Sequence, residues 1–331
     1  MAFFCCSIQV SEAAVYKFSI DYHAVNDGWS WLPSVPSSFH SASDVNIDLG
    51  VDFGRFGLEA RHSNLDLNLL RPVEPKDVSL SAHKDVVSFF YAISHHQKIT
   101  LSLSEQKANQ QRFSCYNFNN ITVGSCEGAD FQVDNANEKY SVLKGDLVGI
   151  SADTSTIGVS FSQQTDAKWL DSFSVGFYST THDYDWLTPV EDLSSPFILG
   201  LEFNGKRLGN AITEAFNKFP QRDEWRLNQI NLSGEKSVPI YSNFEAYVIS
   251  DFVFLNYSNY REVSSSPKYN IKLQAGLRYL TETYLFEFYG NYYHHNLIAF
   301  EPITFNQRTE HYFNQPYGDI GIKLEFRFPA S

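Results

Sequence analysis

The sequence contains no run approaching the 18 apolar residues that a membrane-crossing helix requires, and its mean hydropathy is only -0.28. A helical membrane protein is therefore excluded, whereas a transmembrane barrel is not, because its lumen-facing polar residues dilute its hydropathy. Positive charge is scarce: 25 Lys and Arg stand against 38 Asp and Glu, for a net charge of -13. Such a chain is a poor partner for nucleic acid, whose phosphates call for a basic surface. Methionine occurs once, against 28 Phe and 19 Tyr, a balance that favours strands over helices. No Pro/Gly/Ser-rich linker or shift in composition divides the 331 residues.

The motifs of common hydrolases are missing as well. Gly149-Ile150-Ser151-Ala152-Asp153 and Gly158-Val159-Ser160-Phe161-Ser162 both lack the final glycine of Gly-x-Ser-x-Gly. A Ser/His/Asp arrangement assembled in space is not legible in one chain, so an enzyme is left open as a lesser alternative. His95-His96 sit at a tight turn, and His294-His295 are neighbours on a strand, which point to opposite faces. Without HExxH or Cys/His ligand spacing, no metal site and no cofactor is expected.

What recurs from end to end is alternation. Tyr16, Phe18, Ile20, Tyr22 and Ala24 alternate with Lys17, Ser19, Asp21 and His23; Val45, Ile47, Leu49, Val51 and Phe53 alternate with Asn46, Asp48, Gly50 and Asp52. Side chains on an extended strand point alternately to its two faces, so these are strands with one apolar and one polar side. Further strands are expected over Phe56–Leu70, Val86–Ser94, Ile99–Glu105, Tyr140–Ile150, Thr156–Gln163, Ser172–Thr181 and Phe197–Gly205, then Glu224–Ser233, Asn243–Tyr257, Tyr269–Leu280, Tyr284–His295 and Gly318–Phe328. That makes 14 candidate strands, for a barrel of about 12 to 14.

Tight connections at Gly54-Arg55, His95–Lys98, Ser151–Ser155 and Thr281–Thr283 alternate with long ones at Asn26–Asp44, Arg71–Asp85, Gln106–Lys139, Ser258–Lys268 and Asn296–Tyr317. Short turns on one rim and long loops on the other are expected of an outer-membrane barrel. Two connections spoil the pattern, Thr165–Asp171 being short for its rim and His182–Pro196 long. Length separates lipid from an ordinary core. Tyr269, Ile271, Leu273, Ala275, Leu277 and Tyr279 share one face, with its tyrosines ten residues apart. At about 3.3 Å per residue and a tilt of about 40°, that stretch projects to roughly 25 Å, the height of a barrel's apolar band.

The final strand, G-D-I-G-I-K-L-E-F-R-F, places Ile320, Ile322, Leu324, Phe326 and Phe328 on one parity and Asp319, Gly321, Lys323, Glu325 and Arg327 on the other. It resembles the C-terminal assembly signal of Gram-negative outer-membrane β-barrel proteins, in which alternate apolar residues lead to a terminal Phe. Here Pro329-Ala330-Ser331 follow that Phe. The resemblance implies a class and no individual family: an all-β, antiparallel, up-and-down transmembrane barrel in the outer membrane. The partners it implies are outer-membrane lipid, lipopolysaccharide and the barrel-insertion machinery.

In such a barrel the polar parity faces the lumen. The candidate lumen-lining residues are Lys17, Asp21 and His23 on the first strand and Lys272, Arg278, Glu287, Asn291, Lys323, Glu325 and Arg327 on the last three. They are expected to line a path or site for a small hydrophilic solute, or else to pair across strands and fill the interior. Residues 1–13 read as the remnant of a signal peptide, with small Ser11 and Ala13 ahead of a mature start at Ala14, leaving 14–331 as one barrel domain. Cys115 and Cys126 are expected to form a disulfide in the longest loop. One short helix is expected at Gly209–Phe219, where Leu208, Ala211, Ile212, Ala215, Phe216 and Phe219 keep helical spacing up to Pro220; it serves as a plug or as a helix packed on a wall. A porin-like channel or binding protein is the leading functional expectation. An outer-membrane lipid-modifying enzyme, a surface adhesin and a secreted soluble all-β binding protein are the alternatives.

Overall fold

A computed structural model describes residues 14–26, 39–69, 78–113, 116–118, 121–123, 130–135, 138–144, 148–187, 202–203, 206–207, 222–258, 267–295 and 316–329. Twelve of its strands are long: β1 (Val15–Asn26), β2 (Phe39–Asp52), β3 (Phe56–Leu69), β4 (Val78–Ser94), β5 (Gln97–Phe113), β10 (Val148–Gln164), β11 (Ser172–Leu187), β14 (Arg222–Tyr241), β15 (Phe244–Ser258), β16 (Tyr269–Leu280), β17 (Tyr284–Tyr293) and β18 (Tyr317–Pro329). Each pairs antiparallel with its neighbours, and β1 pairs with β18, so the sheet closes into a barrel with no free edge. The connection between β5 and β10 carries a small sheet of β6 (Tyr116–Phe118), β7 (Ile121–Val123), β8 (Asp130–Asn135) and β9 (Glu138–Lys144). A two-stranded pair, β12 (Glu202–Phe203) and β13 (Lys206–Arg207), lies between β11 and β14.

The pairing register fixes the shape. Followed across its partners in one direction, Asp21 leads through Asn46, Ser63, Lys84, Gln106, Thr154 and His182 to Trp225 on β14. In the other direction it leads through Lys323, Glu287, Arg278 and Glu245 to Pro239 on the same strand, a shift of 14 residues from 225 to 239. Fourteen residues at about 3.3 Å, spread over 12 strands about 4.8 Å apart, tilt the strands by about 40° and set a backbone diameter of about 23 Å.

The short connections all fall on one rim: Phe53–Arg55, His95–His96, Thr165–Asp171, Ser242–Asn243 and Thr281–Thr283, together with the ends of β1 and β18. The twelve barrel strands fall within the expected 12 to 14, but two of the 14 candidate segments are not among them. The segments expected as Tyr140–Ile150 and Thr156–Gln163 are not two barrel strands joined by a turn at Ser151–Ser155. Val148–Gln164 is one continuous strand, paired with β5 on one side and β11 on the other, while β9 belongs to the small sheet. Small polar Ser and Thr residues look like a turn in sequence, yet in the barrel they alternate like any other strand. Only β12 is described within Phe197–Gly205, and it is not part of the barrel. With two strands fewer, Thr165–Asp171 takes its place on the short rim and the stretch after β11 on the long one, so both irregular connections disappear. The Gly209–Phe219 helix, Cys115, Cys126 and residues 1–13 lie outside the described residues.

Outward parity is apolar and solvent-facing. Leu49, Ile157, Phe177, Leu277 and Phe288 are among the large side chains left exposed on the barrel's outside. Aromatics gather at the short-turn edge of this belt, with Phe244 4.7 Å from Tyr279, Tyr279 5.7 Å from Tyr284 and Phe56 5.2 Å from Tyr91. Tyr269 marks the opposite edge, stacked 5.8 Å from Phe252. On the concave side three aromatic rings lie over glycines of adjacent strands. Phe90 covers Gly57, Tyr178 covers Gly158, and Tyr289 covers Gly321, so that a Cβ at any of these would run into the ring, while a Cβ at Gly276 would meet the Phe288 carbonyl and the Tyr289 Cβ. The missing side chains make room for large ones to lie flat along the wall.

Candidate functional site

Contacts that leap over a strand identify the inner face, since side chains two strands apart converge only on the concave side of a closed sheet. Arg278 on β16 reaches Glu235 on β14 across β15, with Nη2 2.6 Å from Oε1, and Tyr289 on β17 reaches Asp21 on β1 across β18. By the same parity all ten candidate residues, Lys17, Asp21, His23, Lys272, Arg278, Glu287, Asn291, Lys323, Glu325 and Arg327, fall on this inner face.

Register sorts them into groups. Asp21, Lys323, Glu287, Arg278 and Glu245 are successive cross-strand partners on β1, β18, β17, β16 and β15, so the charge alternates in sign from one strand to the next. Opposite charges directly across a ladder stabilise the pairing, so the row holds itself in place without an external counterion. Arg278 is its hub: it binds Glu245 and Glu235, has Glu287 4.0 Å away, and lies over the Tyr247 ring with its guanidinium carbon 4.8 Å from the centroid. Nearer the short rim Glu325 takes Arg327 Nε at 2.8 Å and Lys323 Nζ at 3.6 Å. Lys272 lies over the Tyr293 ring at 5.4 Å, and Lys17 stands in register between Gly50 and Arg327.

A second group sits nearer the long connections. His23 Nε2 is 3.1 Å from Asp44 Oδ2, and its Nδ1 is 3.6 Å from Asp319 Oδ2. Asn46 Nδ2 donates to the same Asp44 oxygen at 3.1 Å, and Asn291 Nδ2 donates to Asp319 Oδ1 at 2.6 Å. Asp319 is fully buried, Asp44 nearly so, and both ring nitrogens of His23 face carboxylates. A catalytic histidine needs one nitrogen free to take a proton from a nucleophile. This one instead ties β1 to β2 and β18 across the closing seam. The pair of His62 and Asp85, with Nδ1 2.8 Å from Oδ1, points outward, and the His62 Nε2 is met by the Asn64 amide at 3.2 Å. Among the described residues no cluster of three His, Cys, Asp or Glu is arranged to hold a metal ion.

The remainder of the inner wall differs. β4, β5, β10 and β11 present small hydroxyl residues, with Ser88 Oγ 2.9 Å from Ser102 Oγ and Thr156 Oγ1 2.8 Å from Thr180 Oγ1. The sign-alternating charges thus occupy β15 to β18 and β1, whereas β4, β5, β10 and β11 carry short hydroxyls together with the rings of Phe90 and Tyr178, Lys98 Nζ lying 4.9 Å from the Phe90 centroid.

Glu235, Glu245, Asp44, Asp319, Tyr247 and Tyr289 were not among the sequence candidates. Each shares the polar parity of its strand, but which carboxylate meets Arg278 depends on the register of β14 and β15. That register is set by a two-residue turn whose position the sequence pattern left uncertain.

No protein-family model matches the sequence, and neither does any curated protein. Solved outer-membrane barrels are similar in overall architecture. The translocator domain of the autotransporter NalP from Neisseria meningitidis aligns with a TM-score of 0.49 at 6% identity, over 96% of this chain and 89% of that one. The β domain of the Bordetella autotransporter Brka aligns at 0.46 and 6%, over 96% and 100%. A Pseudomonas aeruginosa FadL homologue aligns at 0.45 and 8%, over 96% and 91%. The likeness is one of fold and says nothing of activity.

Proposed function

We propose that the chain is an outer-membrane β-barrel whose lumen binds or passes a small hydrophilic solute in the manner of a porin. The outer belt supports the location: it is apolar, bounded by tyrosines ten residues apart on β16, and about 25 Å tall at the tilt the register sets. The observation that carries the functional half is the contrast between the two inner walls, the sign-alternating row centred on Arg278 and the hydroxyl wall of β4, β5, β10 and β11. A hydrophilic solute between them meets donors and acceptors on one side and a fixed transverse field on the other.

Planar bilayers test this reading. Folded full-length protein is expected to give discrete conductance steps, and Arg278→Ala to move ion preference toward cations by removing the hub cation. Folded, inserted protein that gives neither steps nor any response to added solutes overturns it. Heat-modifiable migration in detergent and outer-membrane fractionation check the location; a stable monomer obtained without detergent contradicts the membrane assignment.

A further inference from the structure

The inner wall changes character near the long connections. Every barrel strand except β1 carries a buried inward side chain there, among them Asn46, Gln106, Thr154, Asn270 and Asp319. Register rows climb around the barrel with the strand tilt, so these positions lie in one band across the lumen. Nearer the short rim the same inner face stays open: Ser160, Ser162, Ser174 and Ser233 are half-buried, and Lys98 is exposed. Short side chains such as Thr154 and Asn270 cannot close a tube whose backbone is about 23 Å across, so the cover must come from a connection.

Chemistry selects the connection. On β14 and β15 the band is apolar: Trp225 and Val253 are fully buried, Leu227 and Leu255 nearly so, and the Trp225 ring stacks 3.8 Å from that of His182. An apolar wall is covered stably only by apolar surface. The connection entering β14 holds such surface in Leu208, Ala211, Ile212, Ala215, Phe216 and Phe219, and Phe219 stands six residues before Trp225. At the same helical spacing Asn210, Thr213, Glu214 and Asn217 form the opposite face, suited to the polar remainder of the band. Twelve helical residues are about 18 Å long and about 10 Å wide, a size the lumen accommodates. The connection that follows β15, Ser258–Lys268, has no such stripe, and the one between β1 and β2 starts across the barrel from β14. We propose that residues 208–219 fold back into the barrel and lay their apolar stripe on Trp225, Leu227, Val253 and Leu255. The lumen is then narrowest on the long-connection side of the row centred on Arg278. The proposal rests on the lumen reading above and adds where the passage is constricted.

Cysteine accessibility in the refolded full chain, with its four native cysteines replaced by serine, tests the seat. Leu255→Cys is expected to react with a water-soluble maleimide at least about tenfold more slowly than Lys98→Cys on the open part of the inner wall. Replacing 208–219 by a Gly/Ser linker of equal length should raise the rate at 255 about tenfold and leave that at 98 unchanged. An unchanged rate at 255, in a linker variant that keeps heat-modifiable migration, overturns the proposal, because another segment then covers the wall. A photoreactive phenylalanine placed at 216 provides a check that removes nothing. Crosslinks to the β14 and β15 peptides that contain Trp225, Leu227, Val253 or Leu255 support the seat, and crosslinks confined to other strands refute it. Planar bilayers with the same proteins separate the two readings, the linker variant being expected to give larger steps than wild type. Conductance that persists with no change at 255 removes the seat and keeps the channel. Exposure at 255 with no conductance from either protein keeps the seat and removes the channel.

Discussion

Tyr289 donates its phenolic hydrogen to Asp21 Oδ1 although strand β18 runs between them. The reach is possible because its register partner on β18 is Gly321, which leaves the ring free to lie flat over the strand. Gly321→Ala should therefore expel the ring and leave the half-buried Asp21 carboxylate without its donor, at a cost of about 1–2 kcal/mol in urea unfolding in lipid. Tyr289→Ala in the same chain should recover part of that loss. A double-mutant cycle with no coupling between the two positions would show that ring and glycine do not act as a unit.

Arg278 is held by Glu235 and Glu245, with Glu287 close by. Arg278→Met leaves several half-buried carboxylates facing one another inside the barrel, at a cost of about 1–3 kcal/mol, less than for a fully buried pair because water still reaches them. Adding Glu245→Gln should restore much of the stability. Equal unfolding midpoints for Arg278→Met and wild type would mean that the row contributes nothing to the fold.

On the short rim Asp171 receives Lys236 Nζ at 2.6 Å and the Ser237 amide at 2.6 Å. The Lys236 contact, followed by the Ser237 amide, lowers its carboxyl to about 2. A carboxylate with a folded value below its unfolded one contributes stability that is complete above about pH 4 and is lost as pH falls toward 2. Hydrogen exchange at the Thr165–Asp171 turn should accelerate across that window in wild type and be flat in Asp171→Asn. Exchange that does not change with pH in wild type would remove Asp171 as the clamp.

Ser242 opens the two-residue hairpin between β14 and β15 with φ 46°, in the left-handed region where a side chain crowds its own backbone. Ser242→Gly should stabilise the barrel by up to about 1 kcal/mol, read as a higher urea midpoint. A lower midpoint would show that the Ser242 hydroxyl, 3.3 Å from Asn243 Oδ1, matters more than the backbone.

Alternation made most of the barrel legible in the sequence, because most strands separate a polar interior from an apolar outside and their two parities differ. It separated the two faces of β1, β16, β17 and β18 residue by residue. It failed where inner and outer parity are both mixed. Ser151–Ser155 resembles a turn only because short hydroxyl residues suit the inner wall of β10 as well as they suit a loop. Register was the other hidden quantity. Nothing local to Asp319 or Asp44 says that they close on His23 from two sides; that follows from a sheet whose first strand finds its last.

The same closure makes the chain's order partly arbitrary. Val15 and Pro329 are register partners on the rim that carries the five tight hairpins, so the two ends occupy the place of a sixth. A short linker joining them would complete that ring of hairpins. The chain could then be opened in one of the long connections and still thread the same twelve staves, a circular permutant with its ends on the opposite side of the membrane.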